Sequence, residues 1–291
     1  MLKVSFMDLL SHYTKFEHFE NMLKPNGDSS EERYLTIWAS SAYNMDDQTE
    51  MNFGFPFIQY VLREYENTPG LTHEQRVLKI INTLPEIIKG PSETHFLPKT
   101  KTPFVISFSQ AYEDNYMWEK YGDKGKGICL YFDTIKIEEM ADKSGKTFLA
   151  NIAYLAEKGY DFEVWKSLYE IVINEADKCH VLTSIFKYKS DIPRYKKVLM
   201  DNMCPIISAL IKDSQYFPER EVRLACIRDE SISKQRETEN GKIINYIEIK
   251  IPLNYLAGVT IGSNFERKNE LKEICKKNNI RIIDKSEIDW I

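Results

Sequence analysis

Cysteine is scarce and scattered. The five residues, at 129, 179, 204, 226 and 275, form no C-x-x-C pair and no metal-ligand spacing, and their odd number argues against a secreted disulfide scaffold. Cys129, Cys226 and Cys275 sit inside apolar runs, where a thiol serves as a small hydrophobe. Only 12 glycines and 11 prolines occur in 291 residues, which excludes linker-like and low-complexity chains. No apolar run approaches the roughly 20 residues of a membrane span. The N-terminal segment is broken by Asp8 and does not read as a signal peptide. The expectation is a cytoplasmic protein with no membrane partner.

A large net charge is also missing, the balance being −5 from 39 basic and 44 acidic residues. Generic nucleic-acid binding needs clustered positive charge, and the basic stretches at Lys187–Lys197 and Lys276–Lys277 read as solvated surface. There is no G-x-x-x-x-G-K-[ST], no G-x-G-x-x-G after a strand, no H-E-x-x-H, no G-x-S-x-G and no EF-hand loop. The five histidines are not paired at metal spacing, and no metal is expected.

What is present is an ordinary globular balance, 43% hydrophobic and 29% charged, with 17 Tyr and 15 Phe to build a core. Thr14 and Glu17 have capping-box spacing, which predicts a helix carrying Phe16, Phe19 and Leu23 on one face and stopping at Lys24–Gly27. Thr72 with Gln75 repeats that signal, giving helices over 55–66 and 73–84; residues 85–103 read as irregular. Strand patterns occur at 33–40, 102–109, 127–133, 147–155, 221–229, 242–252, 256–263 and 280–284, and the residues before Thr14, with His12, read as the end of a short strand or loop. Short and longer helices are expected at 114–121 and 264–278. Residues 161–213 carry helical periodicity without strand signals and read as a helical insertion. About nine strands with segregated helices and no βαβ alternation predict an α+β fold, one domain over 1–291, with a mixed, mostly antiparallel sheet.

Chemistry-bearing residues form a constellation spread over the chain: His12-Tyr13-Thr14; Asn44 to Glu50; Ser107-Phe108-Ser109; Asp114-Asn115-x-Met117-Trp118-x-x-Tyr121; Lys126-Gly127; and Glu219-Arg220-Glu221-Val222-Arg223. In these motifs the chain resembles a bacterial family catalogued as domain of unknown function twenty-nine seventy-one. The resemblance covers roughly residues 11–265 outside the helical insertion, and is most specific from Phe104 to Asp133. One departure is the turn Asn44-Met45-Asp46-Asp47, which lacks the family's Asp-Pro and displaces Glu50.

The order His-x-Thr, Ser-x-Ser, Glu-x-Glu is further similar to the ADP-ribosyltransferase fold. That similarity implies NAD as substrate, held by His12 with Tyr13, Thr14, Ser107, Ser109, Tyr121 and Arg223. Glu221 would be the catalytic carboxylate and Glu219 its assistant. An ionised carboxylate suits the oxocarbenium-like cation formed when the nicotinamide–ribose bond breaks. Strand alternation would place Glu219 and Glu221 on one face. The implied function is an ADP-ribosyltransferase or NAD glycohydrolase, acting as a toxin or effector of stress or phage defence, with a protein or nucleic-acid acceptor.

Each element also has a plainer reading. His12 can bond a backbone carbonyl, Ser107 and Ser109 can be the polar face of a half-buried strand, and Met117, Trp118 and Tyr121 can be core. Gly125 and Gly127 can serve a turn, and Glu219, Glu221 and Arg223 can form a salt-bridged face. The alternative function is a non-catalytic ligand- or partner-sensing module using Trp118, Tyr121 and Arg223. A nuclease holding Mg²⁺ on Asp114, Glu219 and Glu221 is a third reading.

Overall fold

The computed structural model describes residues 9–23, 33–45, 50–88, 102–144, 147–155, 161–178, 203–238 and 241–284, with only the backbone of 50 and 84–88. The expected α+β class is observed. Among these residues the strands are β1 (Leu9–Thr14), β2 (Tyr34–Ser41), β3 (Thr102–Ser109), β4 (Ile128–Asp133), β5 (Thr147–Asn151), β6 (Ala153–Leu155), β7 (Ile211–Asp213), β8 (Glu221–Arg228), β9 (Lys234–Glu237), β10 (Ile243–Pro252) and β11 (Leu256–Ile261). The helices are α1 (Phe16–Met22), α2 (Gly54–Asn67), α3 (His73–Ile88), α4 (Asn115–Lys120), α5 (Thr134–Ser144), α6 (Phe162–Lys178), α7 (203–208) and α8 (Lys268–Asn278). None of the described helices is long and apolar enough to cross a membrane.

Nine strands form one sheet whose paired strands all run antiparallel, ordered β11-β4-β1-β3-β2-β10-β9, with β8 and β5 continuing from β3. Among the described residues parallel pairing is confined to β6–β7 and to a bridge between Val259 and Ile282, where the strand expected at 280–284 shrinks to one contact. β3 is the hub. β8 pairs with it from Thr102↔Arg228 to Ser109↔Glu221. The other edge of β3 is shared: β2 takes it at Phe104 and Val105, and β1 takes it at Ser109. Between those contacts, over residues 106–108, β3 has no strand neighbour on that side among the described residues, and β1 and β2 diverge.

Alternation along β3 and β8 follows from their sequence. Phe104, Ile106 and Phe108 face a large apolar cluster with Val222, Leu224, Leu130 and Phe132, against which α1, α5 and α8 also pack. Ser107, Ser109, Glu221 and Arg223 occupy the other face, paired across the register. A second cluster gathers α2, α3, α6 and α7 around Phe57, Ile58, Trp165 and Val172. The helical stretch 161–213 therefore does not pack alone; it shares a core with residues 54–81. Part of it, 179–202, lies outside the described residues, as do Cys179, Lys187–Lys197, Asp46 and Asp47.

Two local expectations are corrected. Thr14 ends β1 rather than capping α1; Lys15 stands at the cap with no side-chain bond, and Thr14 Oγ1 lies 3.4 Å from His18 Nδ1. Thr14 is held in the β1–β4 ladder opposite Ile128, which overrides the local capping signal. The second capping box forms as expected, Thr72 N–H donating to Gln75 at 2.9 Å and Gln75 N–H returning to Thr72 Oγ1 at 3.3 Å. α3 runs on through Pro85 to Ile88, past the expected end.

Candidate functional site

The gap between β1 and β2 opens into a cavity of about 240 Å³. Its lining brings together His12, Tyr13, Ser107, Ser109, Tyr121, Glu219 and Glu221, which lie up to 209 positions apart (12 to 221) in the chain. Thr14 lines an adjoining cavity with His12, Ser107 and Tyr121. Arg223 lines neither. It is fully buried behind Glu221 and supports that carboxylate instead of reaching a ligand.

His12 caps the gap. On the side of β3 away from β8, where no described strand pairs with residue 107, the His12 Nδ1–H donates to the Ser107 carbonyl at 2.9 Å. That bond fixes the tautomer and leaves Nε2 as an acceptor. Burial lowers the imidazole pKa, the Ser107 carbonyl opposes this, and His18 adds to the lowering, so the ring is neutral. The Ser109 hydroxyl donates to the Glu219 carbonyl at 2.5 Å and accepts from Ala111 N–H at 2.9 Å. It ties the end of β3 to the segment carrying the carboxylates.

Glu219 and Glu221 do not lie on one strand, contrary to the alternation argument. Glu219 closes a 3₁₀ turn over Ser214–Glu219, Arg220 adopts the left-handed conformation with φ 41°, and Glu221 opens β8. A non-glycine residue in that region costs about 1–3 kcal/mol. Here the kink turns both carboxylates onto Lys212. Its Nζ donates to Glu219 Oε2 at 2.6 Å and to Glu221 Oε2 at 3.0 Å. Glu219 Oε1 also accepts from Lys120 Nζ at 2.6 Å and Tyr121 OH at 2.7 Å. Glu221 is gripped by Arg223 through Nε at 2.7 Å and Nη2 at 3.0 Å, while Arg223 Nη1 donates to the Ala209 carbonyl at 2.6 Å.

Burial alone raises the Glu221 pKa. The charges of Arg223 and Lys212, with hydrogen bonds from Arg223 and Ser107, outweigh it and hold the group at about 2. Glu221 is therefore a fixed negative charge, not a proton carrier at neutral pH. Burial opposes charge on Lys212 too, but Glu221 and Glu219 prevail over it and over Arg223, and its pKa is raised. Burial and then Glu219 raise the Tyr121 phenol, which stays protonated. Lys120 and Lys212 each place Nζ 4.7 Å from the centroid of Tyr216, a shared cation–π platform.

α4 delivers Lys120 and Tyr121. Asp114 caps it, one carboxylate oxygen accepting from Tyr116 N–H at 2.8 Å and Met117 N–H at 3.2 Å. Met117 and Trp118 are buried; Trp118 meets Tyr13 edge-to-face at 5.0 Å and donates through Nε1 to Glu113 at 3.0 Å. Trp118 is thus core. So is most of Tyr13, whose hydroxyl donates to the Ala111 carbonyl at 2.7 Å; Tyr121 is the more exposed ring at the cavity. Gly125 and Gly127 serve the turn before β4, where a Cβ on Gly127 would meet the Thr14 carbonyl at 2.3 Å. Asp114 is spent on its cap, and among the described residues no three His, Cys, Asp or Glu gather as a metal site requires.

Sequence reasoning missed Lys120, Lys212, Tyr216 and Arg236, all of which line the cavity. Lys212 falls in the stretch read as purely helical, and Arg236 in a strand with no apolar alternation. The motif order did carry Lys120, between Trp118 and Tyr121. No curated protein and no solved structure matches the chain. A family model described as Protein of unknown function (DUF2971) matches residues 117–224, a stretch that takes in Met117-Trp118, Tyr121, Lys126-Gly127, the helical segment and Glu219 to Arg223, but neither the His12 strand nor Ser107–Ser109, and over that stretch the family resemblance of the chain holds.

Proposed function

We propose that this cavity binds a nicotinamide dinucleotide and breaks its nicotinamide–ribose bond, making the protein an NAD glycohydrolase or ADP-ribosyltransferase acting on cytoplasmic NAD. The carrying observation is the convergence of His12, Ser107, Tyr121, Glu219 and Glu221 on one cavity at the split between β1 and β2. Cleavage sends the C–N electron pair to nicotinamide, which leaves neutral, and positive charge develops on the ribose. Glu221, ionised and held rigid by Arg223, stabilises that cation. Tyr121 offers its ring to the nicotinamide. The His12 Nε2 lone pair accepts from a ribose hydroxyl. Water or an acceptor hydroxyl then attacks the ribose carbon, and Glu219 takes its proton and passes it to solvent. A bacterial effector of stress or phage defence is the setting that the resemblance suggests.

A second reading, a ligand-sensing module without turnover, is favoured by one observation. Lys212 and the two-point grip of Arg223 already neutralise Glu221 from within the fold. Nicotinamide measured directly after purified protein is incubated with NAD decides between them. Release of nicotinamide supports the enzyme. NAD binding without release supports the sensing module. No release and no binding at millimolar NAD sinks the nucleotide reading.

A further inference from the structure

The cavity continues past the carboxylates. An adjoining space of about 640 Å³ shares His12, Ser107, Lys120, Tyr121 and Arg236 with the first and extends over β2 to Trp38 and Glu248. Its far wall is the polar face of the outer strands, where register places Trp38 opposite Glu248 and Arg236 opposite Ile244.

Two features of that wall suit a ligand. Among the described residues the Arg236 Nε, shielded from solvent, has no hydrogen-bond partner. Among the described residues no carboxylate pairs with Arg236, and the acid on the same wall, Glu248, is taken by Lys234 at 2.8 Å. A buried unpaired donor on a cation is costly unless something else supplies an acceptor. Beside it stands Trp38, 38% exposed although it is a large apolar ring. The Arg236 guanidinium carbon lies 5.3 Å from the Trp38 centroid, and Tyr246 braces the indole at 4.7 Å. An accessible indole next to a guanidinium that no described carboxylate pairs matches a flat aromatic group that carries an anion.

We infer that Trp38 and Arg236 form a subsite for a nucleobase and its phosphate, the adenylate half of a dinucleotide whose nicotinamide end lies at Glu221. Arg236 pairs with phosphate oxygens through its planar fork, and Trp38 contributes aromatic surface for the base. The identity of the ligand rests on the proposed nucleotide reading; the subsite itself rests on Trp38 and Arg236.

Titration calorimetry with ADP, which has no nicotinamide bond to break, tests the subsite independently of catalysis. Wild-type protein should bind ADP, and Arg236→Gln should weaken binding about tenfold or more, the scale of one lost charged hydrogen bond. Arg236→Lys should recover part of that loss. Trp38→Leu should weaken ADP and adenosine alike while leaving inorganic pyrophosphate unchanged. Arg236 lies on an edge strand, and thermal melts will show whether each variant folds as wild type does. Arg236-dependent ADP binding in a protein that never releases nicotinamide supports the subsite and sinks the enzyme reading. Nicotinamide release with ADP binding indifferent to Arg236→Gln and Trp38→Leu overturns the subsite and leaves the enzyme standing. Absence of ADP binding to the wild type overturns the subsite as well.

Discussion

Glu221 shows why a residue's charge and its burial have to be weighed together. A carboxylate this enclosed would ordinarily be protonated. Arg223, Lys212 and Ser107 keep it ionised, so it presents negative charge to the cavity without solvent to screen it. Glu221→Gln keeps the shape and removes the charge. Under the enzyme reading it should cut nicotinamide release by about 100–1,000-fold, the usual effect of losing one preorganised electrostatic group. The same burial sets a second outcome. Arg223 is fully enclosed and Lys212 nearly so, so neutralising Glu221 strands two cations. Breaking a buried pair from one side costs about 3–5 kcal/mol, and glutamine, which still accepts a hydrogen bond, should fall near the lower end. From sequence alone this substitution reads as nearly silent for stability; the ion cage makes it destabilising. Urea denaturation measures that loss, and rates have to be compared at equal folded fraction.

At the scale of elements, the short helix α4 is the delivery arm of the site. It has six residues, too few to be stable alone, and two anchors hold it. One is the Asp114 cap, whose loss in Asp114→Ala should cost about 1 kcal/mol. The other is Trp118, wedged against Tyr13 and bonded to Glu113. Trp118→Ala should cost about 3–5 kcal/mol, as emptying a buried aromatic site does. Chemical denaturation separates the two, and a Trp118 loss well under 2 kcal/mol would contradict the core assignment. α4 was readable because cap, apolar pair and closing glycine are all local. β3 was readable because its polar–apolar alternation matches the two surroundings it separates. Glu219 and Glu221 were expected to face one cleft, but the means was not readable, since it is a left-handed Arg220 that no side-chain pattern announces rather than strand alternation. β9 was equally hidden: Lys234-Gln235-Arg236-Glu237 is polar on both faces, as an edge strand tolerates, and Arg236 went unseen with it.

For the whole molecule, the split sheet makes folding and site formation one event, because the groups that complete the cavity also satisfy the backbone left open between β1 and β2. Acid stability should show this. His12 is neutral when folded, its pKa lowered first by burial and further by His18, against the opposing bond to Ser107. An unfolded histidine titrates near about 6.5. Below that pH the unfolded chain takes up a proton that the folded site resists, so stability falls as pH falls. Glu221 acts in a lower window. Its carboxyl sits at about 2 in the fold and near about 4.3 when unfolded. The stability it contributes is fully present above the unfolded value and is lost as pH drops towards 2. Urea midpoints should therefore decline in two stages, the first between pH 7 and 5. His12→Gln supplies an amide N–H for the Ser107 carbonyl but cannot titrate, so it should flatten the first stage and leave the second in place. If its midpoints between pH 7 and 5 decline as steeply as those of the wild type, the imidazole is not the neutral plug in the sheet, and the acceptor role given to its Nε2 falls with it.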